Sequence, residues 1–137
     1  VRDHESALQK ALIAWLKADA TVQALLGHPA RIWDEPPAEP GWPHLTVGRS
    51  ESRPVNAEGD AVEHRLSLTC VSRFGGTEEA RAVTAAARAR LHEATLEADG
   101  VRTANLRVTF SDVFRAPDMK RTYAVMRLRA VTEETED

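Results

Sequence analysis

The sequence predicts an α+β domain: an antiparallel sheet, four- to five-stranded, with two main helices packed on one of its faces, in the order α-β-β-β-α-β-β. Three observations point there. Residues 62–73 alternate with a period of two, placing Val62, Leu66, Leu68 and Cys70 on one face and Glu63, Arg65, Ser67, Thr69 and Arg73 on the other. Residues 77–94 then repeat apolar side chains at helical spacing, through Ala80, Val83, Ala87, Leu91 and Ala94. Two further alternating runs, 105–114 and 121–132, close the chain. Neighbouring strands joined by short connections are antiparallel. Helices with one apolar stripe each bury it most simply against a single sheet face.

Length and composition set the bounds. A chain of 137 residues, 42% of them apolar, reads as one domain over 1–137 with a real core. The acidic end, residues 133–137, is expected to fray. The net charge of −3 offers no single-sign field for nucleic acid or an anionic membrane surface. The lone cysteine, Cys70, excludes an internal disulfide framework and a cysteine-based metal site. No apolar run approaches the ~18 residues of a membrane span. Residues 1–5 are too charged for a signal peptide, so folding in a reducing cytoplasm is the expectation.

Along the chain, residues 3–20 form the first helix, with Leu8, Leu12, Trp15 and Leu16 on one stripe. A short second helix over 21–26 ends at Gly27, and Pro29 prevents its continuation. Residues 31–33 lean towards β. Pro36, Pro37, Pro40 and Pro43 make 34–43 a rigid, extended surface connection. Residues 44–49 form the next strand, with Leu45 and Val47 on one face. Residues 50–61 read as a long polar loop, of a length that is often functional or mobile. The twelve-residue alternating strand that follows would span about 40 Å, so its outer half is expected to project. Phe74, Gly75 and Gly76 break it. Thr77 is the expected N-cap of the long helix, with Glu78 and Glu79 in the first turn. Asp99-Gly100 marks a turn. Strand 105–114 places Leu106, Val108 and Phe110 together, opposite Arg107, Thr109 and Ser111. Strand 121–132 places Ala124, Met126, Leu128 and Ala130 opposite Tyr123, Val125, Arg127, Arg129 and Val131.

No catalytic signature emerges. His4, His28, His44, His64 and His92 are scattered and form no metal-ligand pair. His64 has inward parity, as a core or interface residue. Gly75-Gly76 lies where a phosphate loop would sit, but Glu78 and Glu79 would repel a phosphate. Asp112 and Asp118 could be an acid–base pair or two turn residues. Cys70, on the inward parity, reads as an inert buried thiol. No cofactor is expected and the chain is read as a non-enzyme. The outer parity is less bland: Arg65, Arg73, Arg107, Arg127 and Arg129 share it with Val71, Tyr123, Val125 and Val131. That mixture fits an interaction surface, a solvated face or, without enough aromatic platforms, a nucleic-acid surface.

Several pieces, in order, resemble one family. They are Ala7-Leu8-Gln9-Lys10-Ala11-Leu12, Ala24-Leu25-Leu26-Gly27, Arg31-Ile32-Trp33-Asp34, Pro43-His44-Leu45-Thr46-Val47-Gly48 and Glu63-His64-Arg65-Leu66-Ser67-Leu68. Residues 72–80, through Phe74-Gly75-Gly76, and the ending at 127–133 complete the series. Together they resemble the tail-terminator, or tail-completion, proteins of long-tailed phages and phage-like gene transfer agents. The resemblance implies a virion structural protein, made in the bacterial cytoplasm and located in the tail or neck of the particle. It implies a homo-oligomeric ring, typically of six copies, that caps the tail tube and ends its polymerisation. Its partners would be the major tail-tube protein and head–tail connector proteins, with double-stranded DNA passing through without sequence-specific binding and no membrane involved. A head–tail connector or neck protein at an adjacent position is the alternative; a small ligand-binding or nucleic-acid-binding module is a further one. Under this reading subunit contact is expected at Arg49, Arg53, Val55, Glu58, Asp60, Val62 and His64. Partner contact is expected on the outer sheet face at Arg65, Arg107, Tyr123, Arg127 and Arg129.

Overall fold

The computed structural model describes residues 3–55, 61–73, 77–118 and 120–135. Helix α1 (His4–Lys17) starts where Asp3 caps it, its carboxylate accepting from the Ser6 amide at 3.0 Å and the Ser6 hydroxyl at 2.7 Å. Leu8, Leu12 and Leu16 form its buried stripe. Asp19 caps the short α2 (Ala20–Leu26), accepting from the Val22 amide at 3.1 Å, and Gly27 ends it at φ 91°. Helix α3 (Glu78–Leu91) buries Ala80, Val83, Ala86, Ala87 and Leu91. The ends of α1 and α3 are tied reciprocally. Trp15 Nε1 donates to the Arg90 carbonyl at 2.7 Å, Arg90 Nε donates to the Trp15 carbonyl at 3.0 Å, and the guanidinium lies 3.7 Å over the indole.

The strands are β1 (Ile32–Trp33), β2 (His44–Pro54), β3 (Val62–Ser72), β4 (Glu97–Ala98), β5 (Val101–Arg115) and β6 (Thr122–Glu134). They form one six-stranded sheet in the order β1-β2-β3-β6-β5-β4. β1 runs parallel to β2 and all other neighbours are antiparallel, so the sheet is mixed. The α+β class, the helices on one face and the short helix before Gly27 agree with expectation; the strand number and the parallel edge differ from it. The core lies between the inner sheet face and α1 and α3, and includes Leu12, Leu16, Leu68, Val83, Leu91, Leu106, Met126 and Leu128.

Several boundaries differ from the sequence reading. β2 continues to Pro54, so residues 50–54, Arg53 among them, are strand residues rather than loop residues. The pairing of Arg53 with Glu63 outweighs the polar composition of the segment. β3 does not project: it lies between β2 and β6 along its whole length. α3 stops at Leu91, and Glu93 turns the chain at φ 61° so that Leu96 can be buried ahead of β4. Thr77 stands at the helix start without a side-chain cap bond. β5 begins at Val101, immediately after Asp99 (φ 51°) and Gly100 (φ 78°), the two positive φ values of a tight hairpin turn. The Gly75-Gly76 corner lies outside the described residues.

One polar spot of the inner face is a histidine–threonine cluster. Thr132 Oγ1 meets His4 Nδ1 at 2.7 Å and His64 Nε2 at 2.8 Å, joining the start of α1 to β3 and β6. Ser52 Oγ donates to the Glu5 carboxylate beside them.

Candidate interaction surface

The face of the sheet away from the helices is built in cross-strand rows. One row runs Glu51, Arg65, Arg129, Arg107; the next runs Arg53, Glu63, Val131, Asn105. Ser67, Arg127 and Phe110 follow, then Thr69, Val125 and Asp112, then His44, Val71, Tyr123 and Phe114. Because side chains alternate along each strand, every second residue of four strands converges here.

Three irregularities decide which residues arrive, one of them an extra residue between Thr103 and Asn105 of β5 that brings Asn105 to this face. β2 carries an extra residue between Val47 and Ser50, so Gly48 and Arg49 both lie opposite the Ser67 position. A Cβ at Gly48 would stand 2.5 Å from Ser67 Oγ, so glycine permits the close approach of the two strands. β5 carries an extra residue between Val108 and Phe110. It sends Phe110 to the outer face, 46% exposed, and Ser111 to the helix side. The sequence phasing had placed Phe110 inward and Ser111 outward; the bulge reverses both.

Glu63 organises the arginines. It is only 8% exposed, although it lies on the outer face. Its Oε2 accepts from Arg129 Nη2 at 2.8 Å, and its Oε1 accepts from Arg53 Nη2 at 3.1 Å and Arg65 Nε at 3.4 Å. The hydrogen bond from Arg129 holds the carboxyl below the usual glutamate range, helped by the charges of Arg129 and Arg53 against the opposing effect of burial. One carboxylate serving three guanidiniums leaves net positive charge on the surface. Arg107, opposite Arg129, has no carboxylate partner among the described residues. Arg127 instead lies 4.9 Å over the Phe110 ring. Arg49 pairs with Glu51 at 2.7 Å. Between these groups is a depression of about 510 Å³, lined by Arg49, Arg65, Phe110, Val125, Arg127 and Arg129 among others.

The other end of the face is aromatic. The rings of Trp42 and Trp33 lie 4.8 Å and 5.8 Å from that of His44. Arg73 and Arg121 lie 4.7 Å and 5.3 Å from the Trp42 ring centre. His44 Nδ1 donates to the Gly41 carbonyl at 2.9 Å, and burial lowers its pKa. Across the sheet Phe114 stacks on Tyr123 at 5.6 Å.

Arginines held in place beside exposed rings suit carboxylates or phosphates together with apolar contact, the chemistry of a macromolecular interface. Among the described residues no group of histidine, cysteine and acidic side chains is placed to hold a metal ion. The Cys70 thiol is buried and its pKa is pushed up to about 12, chiefly by desolvation, which keeps it protonated and unreactive.

Of the residues singled out in the sequence, Arg65, Arg107, Tyr123, Arg127 and Arg129 do share this face, and Arg49 and Arg53 join them. Val55 and Val62 are half-buried at the base of the β2–β3 hairpin, where the Val55 amide donates to the Ala61 carbonyl at 3.0 Å. His64 is 0% exposed and belongs to the core, covered by its own chain rather than offered to a second subunit. Glu58 and Asp60 lie outside the described residues. The sequence reading passed over Glu63, Phe110, Phe114 and Trp42. A glycine inside a strand, Gly48, was a legible sign of a bulge; nothing comparable marks Thr109.

A family model described as tail completion protein gp17 matches residues 10–133. Among solved structures, a chain from the virion of a native gene transfer agent (GTA) particle is similar in fold, with a TM-score of 0.86 at 23% identity. The match covers 97% of this chain and 99% of that one. No curated protein matches the chain.

Proposed function

Since this chain belongs to the tail completion protein gp17 family, we propose that it is a structural, non-enzymatic subunit that ends the growth of a phage or phage-like tail tube. In this reading it forms a homo-oligomeric ring, of six copies, on the finished tube, presents a surface for joining the DNA-filled head, and lets double-stranded DNA pass through its centre. The family match over residues 10–133 carries the proposal.

The geometry and the composition support it. The sheet has one face covered by helices and one face without a covering layer among the described residues, and the uncovered face bears arginines and exposed rings rather than a solvated polar mixture. Arg65, Arg107, Tyr123, Arg127 and Arg129 are the residues assigned to contact with the tube or connector protein. Arg49, Arg53, Val55 and Val62, beside the β2–β3 hairpin, are assigned to contact between copies. The net charge of −3 suits a channel that DNA slides through, because many phosphate contacts would hold it.

Imaging of particles in which the chain carries a density label tests the reading. A ring of label at the head-proximal end of the tail tube is expected. Label on the head side of the joint would favour a connector, and its absence from purified tails would overturn the assignment.

A further inference from the structure

We propose that the acidic, proline-rich segment 34–40 of one copy lies in the groove between α3 and β5 of the next, so that the subunits join head to tail through two unlike surfaces. The inference rests on the ring reading above and names the contact that would close it.

The first surface is the segment Asp34-Glu35-Pro36-Pro37-Ala38-Glu39-Pro40. Residues 34–39 are exposed, and Asp34, Glu35 and Glu39 have no ion-pair partner among the described residues. Its three prolines restrict the backbone in advance, so less chain entropy is lost on binding, and the chain bends at 34–35 and 38–39.

The second surface is on the opposite edge of the sheet. β4 covers β5 only at Val101 and Arg102, and beyond Val108 no described strand or loop pairs with β5 on that side. The edge from Thr109 to Arg115 borders a groove of about 380 Å³ against α3. Ala85, Ala89 and Val113 give it an apolar floor, and Arg81 and Arg88 stand at its rim. Arg88 donates to Ser111 Oγ at 2.7 Å, which aims it across the groove; Arg81 has no carboxylate partner among the described residues. The acids of α3, Glu78 and Glu79, lie in its first turn, and Glu79 accepts from Ser72 Oγ at 2.6 Å. Prolines and Ala38 match the floor, and the unpaired carboxylates match the rim.

The two surfaces also stand at the same height. A single cross-strand row runs from Ile32 of β1 through Leu45, Cys70 and Ala124 to Val113 of β5. Segment 34–40 leaves the sheet just after that β1 residue, and the groove opens at the other end of the row. Side-by-side copies therefore bring acid to arginine without a vertical offset. Unlike surfaces on opposite edges generate a heterologous interface, which closes into a ring when the rotation between copies allows.

Charge exchange tests the contact. One variant carries Glu35→Lys and Glu39→Lys, the other Arg81→Glu and Arg88→Glu; all four positions are solvent-accessible, and circular dichroism checks the fold of each. Wild-type chain, each variant and their equimolar mixture are added to purified tail tubes and ring occupancy is counted by electron microscopy. Each variant alone should lose at least tenfold in occupancy. The mixture should recover it, because alternating copies make every contact around an even-numbered ring charge-complementary, native acid–arginine contacts alternating with reversed lysine–glutamate ones. Normal rings from both variants, or no recovery on mixing of folded variants, would overturn the contact while leaving the ring intact. Loss confined to the groove variant would assign the groove to another tail protein and equally overturn it. Failure of the wild type itself to form rings on tubes would instead overturn the ring reading. Should a double variant misfold, the single pair Glu39→Lys and Arg81→Glu gives the same contrast.

Discussion

Phe110 stands opposite Arg127 across β5 and β6, its ring 4.9 Å from the guanidinium carbon, on the face of the sheet that the helices leave open. It is there because Thr109 is an extra residue in β5; strict alternation would have put the ring under α3. An exposed ring capped by an arginine contributes little to folding and much to binding, since such pairs form the cores of interfaces. Phe110→Ser is therefore expected to leave thermal stability within about 0.5 kcal/mol of wild type while reducing attachment to tail tubes. Melting curves and a tube-binding assay measure the two effects separately. A large loss of stability with normal binding would remove Phe110 from the interaction surface.

The Glu63 carboxylate neutralises part of the charge of Arg129, Arg53 and Arg65, with Arg129 the closest of the three at 2.8 Å. Its folded-state pKa lies below the ordinary value of 4.5. The stability it contributes is thus fully present above pH 4.5 and is lost as pH falls through the lowered folded value. Glu63→Gln keeps the shape and removes the charge, leaving three guanidiniums to repel one another. The variant is expected to melt at a lower temperature than wild type at pH 7 and to show a shallower loss of stability below pH 4.5. Thermal denaturation from about pH 3 to about pH 7, across the carboxylate titration region, measures both.

How far the sequence could be read follows from which interactions are local. β6 was legible residue by residue: Ala124, Met126, Leu128 and Ala130 are buried, as their parity predicts. α1 was legible because Leu8, Leu12 and Leu16 sit at helical spacings, while its cap at Asp3 and its end at Lys17, short of residue 20, were not. β2 was cut short because residues 50–54 are polar, and only pairing with β3 keeps them in the sheet. Phe110 was assigned to the wrong face because a bulge moves one residue out of phase without changing the pattern around it. On the interaction surface, the arginines were found by parity alone. Glu63 was not singled out, since its burial depends on three arginines, two of them on other strands. The groove between α3 and β5 was invisible because it joins segments on either side of a reversal at Glu93.

The helix packing gives a direct stability test. Leu12 is 0% exposed in the layer between α1 and the sheet, whereas Ala14, two residues along the same helix, faces solvent. Leu12→Ala removes buried apolar atoms and leaves a cavity, and should cost about 2–5 kcal/mol. Ala14→Lys should change stability by no more than about 0.5 kcal/mol. Chemical denaturation of the two variants settles whether α1 is seated in this phase, and similar losses at both positions would show that it is not.

His64 couples stability to pH in a different window from Glu63. It is fully buried, with Nε2 against Thr132 Oγ1 and Nδ1 without a hydrogen-bond partner among the described residues. Burial lowers its pKa below 6.5, the neighbouring His4 lowers it further, and Glu5 acts in the opposite sense. Above pH 6.5 the histidine is neutral in both folded and unfolded chains and contributes no slope. As pH falls below 6.5 the unfolded chain takes up a proton that the folded chain refuses, so stability falls until the buried ring itself titrates at a lower pH. His64→Leu removes this titration. It also removes an unpaired buried nitrogen, while Thr132 keeps its bond to His4. The variant should therefore stay within about 1 kcal/mol of wild type at neutral pH and lose less stability than wild type between pH 6.5 and the region where carboxylates begin to titrate. An unchanged slope of melting temperature against pH in that interval would exclude the buried ring as the source of the acid sensitivity.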